Sequence, residues 1–236
     1  MANLDALFNR YDKLVLFDTE TTGLNFCRDE IIEFAAVVLE KKDGQSISTL
    51  EYDELIALSP GGFIPQNIQS LTGITNQALR ERGISKTRVC CDIARMFEGN
   101  TLLLAYNAHF DLSFLFYTLL RDGDPAILKG KDKLDLLTVY KDRHSYPHKL
   151  CNAIEVYHLS DKVVNSHRAI DDVLATVEVM KAMEQEKDDL LQYINLFGYN
   201  AKYGISGKAI GSVTYRAQGF DPALPLYAIQ EEMSHV

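Results

Sequence analysis

The chain has no tryptophan, only four cysteines and six prolines among 236 residues. It also has no apolar run near the roughly 20 residues that a bilayer-spanning helix requires. No membrane partner is therefore expected. Cys27, Cys90, Cys91 and Cys151 lack the paired spacing of a zinc finger, which argues against a structural zinc site and suits a reducing cytoplasmic setting. The first eight residues carry no basic leader followed by an apolar segment, so export is not expected. Basic excess is missing too: 24 Lys and Arg face 33 Asp and Glu, a formal net charge of -9. That balance argues against broad electrostatic capture of nucleic acid. It leaves room for a polyanionic substrate if metals neutralise an acidic site. No internal repeat or low-complexity tract is present.

What the chain does contain is 47% hydrophobic and 24% charged residues, the composition of an ordinary globular protein with one sizeable core. Leu14-Val15-Leu16-Phe17 opens a strand that ends in Asp18-Thr19-Glu20. A strand has period two, so both carboxylates project from one face, where they repel unless a cation lies between them or one is protonated. Thr21-Thr22-Gly23 then reads as a turn. Residues 31–40 and 46–52 form two more strands around a reversal at Gly44, which together suggest an antiparallel meander.

Short helical pieces are expected near 66–71 and 77–82, and a longer one over 87–97. An apolar strand follows at 101–105, then a helix with Leu112, Leu115, Phe116, Leu119 and Leu120 on its buried stripe. Residues 133–138 read as a short strand or turn, and 147–157 contain another helix. Ser166 is the expected cap of a last helix running to about Met183. Three antiparallel strands followed by strand–helix alternation indicate an α/β domain with a mixed sheet. From about residue 187 the texture changes. Gly198, Gly204, Gly207, Gly211 and Gly219 punctuate Tyr199, Tyr203, Tyr215 and Tyr227. The expected division is a main domain over 1–186 and a C-terminal appendage over 187–236, packed on the core or offered to a partner.

Asp111 falls about one turn into the helix after strand 101–105, where the positive helix end stabilises a carboxylate. Both Asp18 and Asp111 sit at carboxyl ends of strands, where ligands of α/β folds bind. Taken alone, Asp111 reads first as an ordinary acidic residue of a first turn, and only its company makes it a ligand candidate. His167 precedes a helix carrying Asp171 and Asp172. At about 100° per residue, Asp171 shares a side with Arg168, Glu178 and Gln185, whereas Asp172 shares one with Ala169, Thr176, Val179 and Met183. Asp172 is therefore the inward candidate. Four carboxylates and an imidazole suit hard cations such as Mg²⁺ or Mn²⁺. Two such ions can stabilise both the attacking and the leaving oxygen of a displacement at phosphorus, and a histidine can take the proton of the attacking water.

With these residues in place, the chain resembles the DnaQ-like, or DEDDh, family of 3′-to-5′ exonucleases, which includes the proofreading subunit or domain of bacterial replicative DNA polymerases. Phe17-Asp18-Thr19-Glu20-Thr21-Thr22-Gly23 looks like the first motif, Tyr106-Asn107-Ala108-His109-Phe110-Asp111 the second, and His167-Arg168-Ala169-Ile170-Asp171-Asp172 the third. Ile64-Pro65, Leu71-Thr72-Gly73-Ile74-Thr75 and His148-Lys149-Leu150 look like family connectors. The resemblance covers about residues 11–184. It implies an RNase H-like core with a five-stranded mixed sheet flanked by helices, two bound metals, and Asn107 helping to form the site.

The expected reaction is hydrolysis at the 3′ end of DNA, single-stranded or frayed, releasing nucleoside 5′-monophosphates. Asp18, Glu20, Asp111 and Asp172 are the expected ligands of two Mg²⁺ or Mn²⁺ ions, and His167 is the general base. On the substrate side, the backbone of Thr19 and Glu20 would cradle the terminal nucleotide and Leu24, after Gly23, would meet a base. His109 would face the groove. Phe110 is either a base platform or core. Residues 129–149 carry six basic side chains (Lys129, Lys131, Lys133, Lys141, Arg143, Lys149) against three acidic ones. That stretch is either a surface guiding the nucleic-acid backbone or a solvated loop. Two other readings stand beside the first: an exonuclease acting on RNA or short oligonucleotides, and a non-catalytic module of a polymerase or repair complex.

Overall fold

The computed structural model describes residues 4–42, 45–164, 166–197, 221 and 223–228. The first apolar run becomes the central strand β1, Lys13–Thr21. It pairs antiparallel with β2, Ile31–Lys42, which pairs antiparallel with β3, Gln45–Leu55. That is the meander expected from the turn residues. On the other side of β1, β4 (Thr101–Ala105) and then β5 (Asp132–Asp135) add in parallel. The sheet order is β3-β2-β1-β4-β5, so the expected five-stranded mixed sheet is present.

Among the described residues eight α-helices surround it: α1 (Asp5–Phe8), α2 (Gln66–Thr72), α3 (Asn76–Arg82), α4 (Lys86–Met96), α5 (Ala108–Asp122), α6 (Leu136–Arg143), α7 (Leu150–Val156) and α8 (Ala169–Glu186). The strand period sorts the core into two layers. Leu14 and Leu16 of β1, with Ala35, Val37 and Leu39 of β2, face α6, α7 and α8 and bury against Val139, Ala153, Val173, Met180 and Met183. Val15 and Phe17, with Phe34, Ala36 and Val38, face α4 and α5 and bury against Val89, Ile93, Leu112 and Leu115. Both faces of β1 are thus dry, which is why its sequence is a continuous apolar run. Asp18 and Glu20 continue the Leu14–Leu16 face and therefore look toward α8. Thr19 continues the opposite face and looks toward α5.

Two local expectations need correction. Residues 136–143, read as strand end and basic loop, form α6. Its N-cap, Asp135, accepts a hydrogen bond from the Leu137 N–H at 3.2 Å. Ser166 does not cap the last helix. The cap position is Arg168, with no side-chain cap of its own, and the Ser166 hydroxyl donates instead to Asp171.

The described residues after 187 reach both layers, with Phe197 buried on the α4 and α5 side and the others named here on the α8 side. Leu190 and Tyr193, in a 3-10 turn, and Leu226 are all buried there. Tyr199, Tyr203, Tyr215 and the glycines at 198–219 lie outside the described residues. No helix among the described residues is long and apolar enough to cross a membrane.

Candidate metal centre

The β1 face that carries Asp18 and Glu20 meets the first turn of α8, and the three carboxylates of Asp18, Glu20 and Asp172 converge there. Each offers an oxygen within 4.8 Å of the others. Asp172 reaches this point because its N–H closes the first turn of α8 on the Arg168 carbonyl at 3.1 Å. Asp171, one residue earlier, stays outside the group and receives the Ser166 hydroxyl.

Asp111 arrives from the other layer. It is buried at 2% exposure in the first turn of α5. Its Oδ1 accepts from the Thr19 N–H at 3.0 Å and from the Thr19 hydroxyl at 2.7 Å. Asp111 is therefore stitched to the residue between the two β1 acids and stands outside the tight group of three. The same bonds alter the expected role of Thr19, whose N–H is committed to Asp111 and not open to a nucleotide.

Crowding these acids away from water has a clear electrostatic result. Burial, then the charges of Asp111, Asp172 and Glu20, hold the Asp18 carboxyl well above the usual carboxylate range. Burial and then Asp172, Glu33 and Asp111 push Glu20 up to about 8. Burial raises Asp111 to about 7 against the opposing Thr19 hydrogen bonds. Each of these groups favours its neutral form unless a cation compensates the negative one. A donor set made only of carboxylate oxygens fits a hard divalent metal ion.

The second motif is held by a residue that the motifs do not contain. Asp135, at the end of β5 and 2% exposed, accepts from the N–H groups of Asn107 and Ala108, both at 3.0 Å, and from the Thr138 hydroxyl at 2.7 Å. These bonds fix Asn107 in the left-handed region, at φ 73°. The backbone therefore turns sharply from β4 into α5, which places Asp111. His109 follows in the same turn, its carbonyl accepting from the Ser113 hydroxyl at 2.6 Å. Burial lowers its imidazole pKa. Phe110 packs on Phe114 with ring centroids 4.9 Å apart and belongs to the α5-side core.

Gly23 sits where a Cβ would come within 2.5 Å of the Asp29 carboxylate. That carboxylate in turn accepts from the Asn25 N–H at 2.8 Å and organises the loop after β1. Leu24 projects from this loop and is 84% exposed. His167 is exposed and left-handed, with φ 57°. It lies outside the group of three carboxylates.

The proposed basic surface loses two members. Lys133 is fully buried, its Nζ donating to the carbonyls of Leu128 at 3.1 Å and Lys131 at 2.6 Å. The Arg143 guanidinium is turned inward to Asp189 at 2.5 Å and the Met183 carbonyl at 2.6 Å.

Glu33 is the other residue that motif reading missed. It is 0% exposed on β2, in register with Glu20. Its only mark in the sequence is one acid inside the apolar run Ile31-Ile32-Glu33-Phe34-Ala35-Ala36.

Comparison with known proteins adds a family to this geometry. The RNase_T family model, described as Exonuclease, matches residues 15–180. A PolC-type DNA polymerase III from Clostridium perfringens (strain 13 / Type A) is 31% identical over 194 residues. The match takes in 81% of this chain but 12% of the polymerase, so the chain spans only about an eighth of such relatives. A DNA polymerase III subunit epsilon from Treponema pallidum (strain Nichols) is 32% identical over 173 residues, 71% of this chain and 74% of that subunit. Among solved structures, E. coli Exonuclease I in complex with a dA16 oligonucleotide aligns with a TM-score of 0.67 at 22% identity, over 77% of this chain and 42% of that one. A zinc-bound Exonuclease I–ssDNA complex aligns with a TM-score of 0.65 at 23% identity, over 78% and 42%. At these identities the structural likeness is one of fold.

Proposed function

The chain belongs to the RNase T-type exonuclease family, and from that premise we propose that it is a metal-dependent 3′-to-5′ exonuclease acting on DNA. The observation that carries the reading is the convergence of Asp18, Glu20 and Asp172 within 4.8 Å, from two separate elements, with Asp111 fastened to Thr19 beside them. Asp18, Glu20 and Asp172 would hold one ion, and Asp18 with Asp111 a second, either Mg²⁺ or Mn²⁺. Bound there, the ions would supply charge neutralisation at the scissile phosphate and at the departing 3′ oxygen.

The protein's own groups do the rest. A ring nitrogen of His167 accepts a proton from the attacking water. The water oxygen bonds to phosphorus as the bond from phosphorus to the 3′ oxygen breaks. The departing 3′ oxygen takes a proton from solvent, so the shortened strand leaves with a 3′ hydroxyl, and the released nucleotide carries a 5′ phosphate. The exposed Leu24 gives the terminal base an apolar edge. Asn107 and His109 line the same turn as Asp111, and Gly23 keeps the loop that carries Leu24 closed on Asp29. Phe110 supports this side from the core.

Residues 1–186 form the catalytic unit in this reading, consistent with a family match ending at 180. The remainder is an appendage whose described parts pack on it. A cytoplasmic location and a polymerase or repair-complex partner belong to this reading, and the PolC-type and epsilon relatives support the polymerase partner.

The test uses end-labelled single-stranded DNA, mismatched duplex and RNA, each with Mg²⁺, Mn²⁺ or chelator, alongside Asp18→Ala. The expected result is stepwise loss of 5′-monophosphates from the 3′ end of DNA, abolished by chelator and by the substitution. Release from RNA alone would move the assignment to an exoribonuclease. No metal-dependent release from any substrate would leave a non-catalytic module.

A further inference from the structure

Glu33 lies among acids, but both of its oxygens are engaged by the start of α8. Oε1 accepts from Arg168 Nε at 2.8 Å and from Arg168 Nη2, and Oε2 accepts from the Ala169 N–H at 2.8 Å. Ala169 is the first residue of α8, whose N-cap, Arg168, supplies no side-chain cap. A carboxylate from β2 thus satisfies the first N–H of α8 and places negative charge at the positive end of that helix. The residue it grips is held at a second point, since the Arg168 carbonyl accepts the Asp172 N–H at 3.1 Å. On the other flank stands His167, in a left-handed conformation that a β-carbon disfavours. The Arg168 guanidinium also lies 3.9 Å from Asp53 on β3, so it spans two strands.

We infer that Glu33 and Arg168 act as one positioning clasp that sets where α8 starts, and so where Asp172 meets Asp18 and Glu20 and where His167 stands. The register gives the clasp its reach. Glu33 is paired directly with Glu20 across β1 and β2. The same cross-strand pair therefore carries one metal-facing acid and the group that fixes another, 139 residues further along the chain than Glu33 by numbering. The charge of Arg168 also favours the ionised form of Glu20.

This inference rests on the exonuclease reading for its kinetic part only, so its experiment has two readouts: turnover of single-stranded DNA, and Mn²⁺ affinity by calorimetry without nucleic acid. The variants are Glu33→Gln, Arg168→Gln, Arg168→Lys and the Glu33→Gln/Arg168→Gln double variant. The Arg168 side chain is 41% exposed, so its variants supply folded protein if Glu33→Gln does not. The expected single-variant result is a kcat lower by about tenfold or more, with KM within about threefold and Mn²⁺ bound several-fold more weakly. The double variant should be no worse than the poorer single one, because the two residues act as a unit. Arg168→Lys should recover only part of the loss, since an ammonium cannot reproduce the two-pronged contact.

A lower melting temperature with unchanged kcat and Mn²⁺ affinity would reduce the pair to a structural brace and overturn the inference. So would losses that simply multiply in the double variant. If the wild-type chain bound Mn²⁺ but cut no DNA, a Glu33→Gln loss of Mn²⁺ affinity would uphold the clasp while the exonuclease reading failed.

Discussion

Asp171 and Asp172 are chemically identical neighbours, and the 100° between them decides what each does. Asp172 points into the β1 acids, whereas Asp171 takes the Ser166 hydroxyl. Asp172→Asn is accordingly expected to remove nuclease turnover by at least about 10²-fold, and Asp171→Asn to change it by less than about threefold. Equal losses in steady-state kinetics would reverse the ranking. His167→Ala should also lower kcat by about 10²-fold or more, with Mn²⁺ affinity unchanged in calorimetry, because the imidazole stands outside the group of three carboxylates. These residues were legible because strand and helix periods convert spacing into direction. The Thr19–Asp111 stitch was not, since it joins positions 92 residues apart and no local pattern encodes which hydroxyl meets which carboxylate. Glu33 announced itself only as a charge in an apolar strand, which says that a partner exists without saying where.

At the level of elements, the sheet and most helices followed from apolar periodicity, whereas α6 did not. Its eight residues carry Lys141, Asp142 and Arg143 at the end, and its cap, Asp135, doubles as the last residue of β5. A strand that short, running straight into a helix, gives neither period room to show. The C-terminal segment poses the same difficulty. Leu226 is fully buried in the α8-side layer, and its N–H donates to Asp142 at 2.8 Å. The Tyr227 hydroxyl donates to Asp189 at 2.8 Å. Docking of this kind depends on a surface assembled from α6 and the turn at 190–193, so composition alone could not reveal it. Leu226→Ala is expected to lower unfolding free energy in urea by about 2–4 kcal/mol while leaving turnover per folded molecule unchanged. A shift below about 0.5 kcal/mol would mean that the segment contributes no core packing.

Across the whole molecule, an acidic chain gathers several of its acids at one point, and folding must hold them there. Glu20 rises from its ordinary 4.5 to about 8, and Asp111 from 3.8 to about 7, with burial as the first cause of each. Between those limits the folded chain retains protons that the unfolded chain has released. The stability that these two acids contribute without metal is therefore fully present below about pH 4 and falls as pH rises through about 8. A bound divalent cation favours the ionised acids and removes the penalty.

The most direct measurement is the melting temperature between pH 5 and 8.5, in chelator and in millimolar Mn²⁺, for the wild-type chain and Asp18→Asn. In chelator the wild type should lose on the order of 5–10 °C across that range, and Mn²⁺ should restore it. Asp18→Asn should show a flatter curve and no response to Mn²⁺. A wild-type melting temperature indifferent to both pH and Mn²⁺, or an equal Mn²⁺ response in Asp18→Asn, would contradict a metal centre built on these carboxylates.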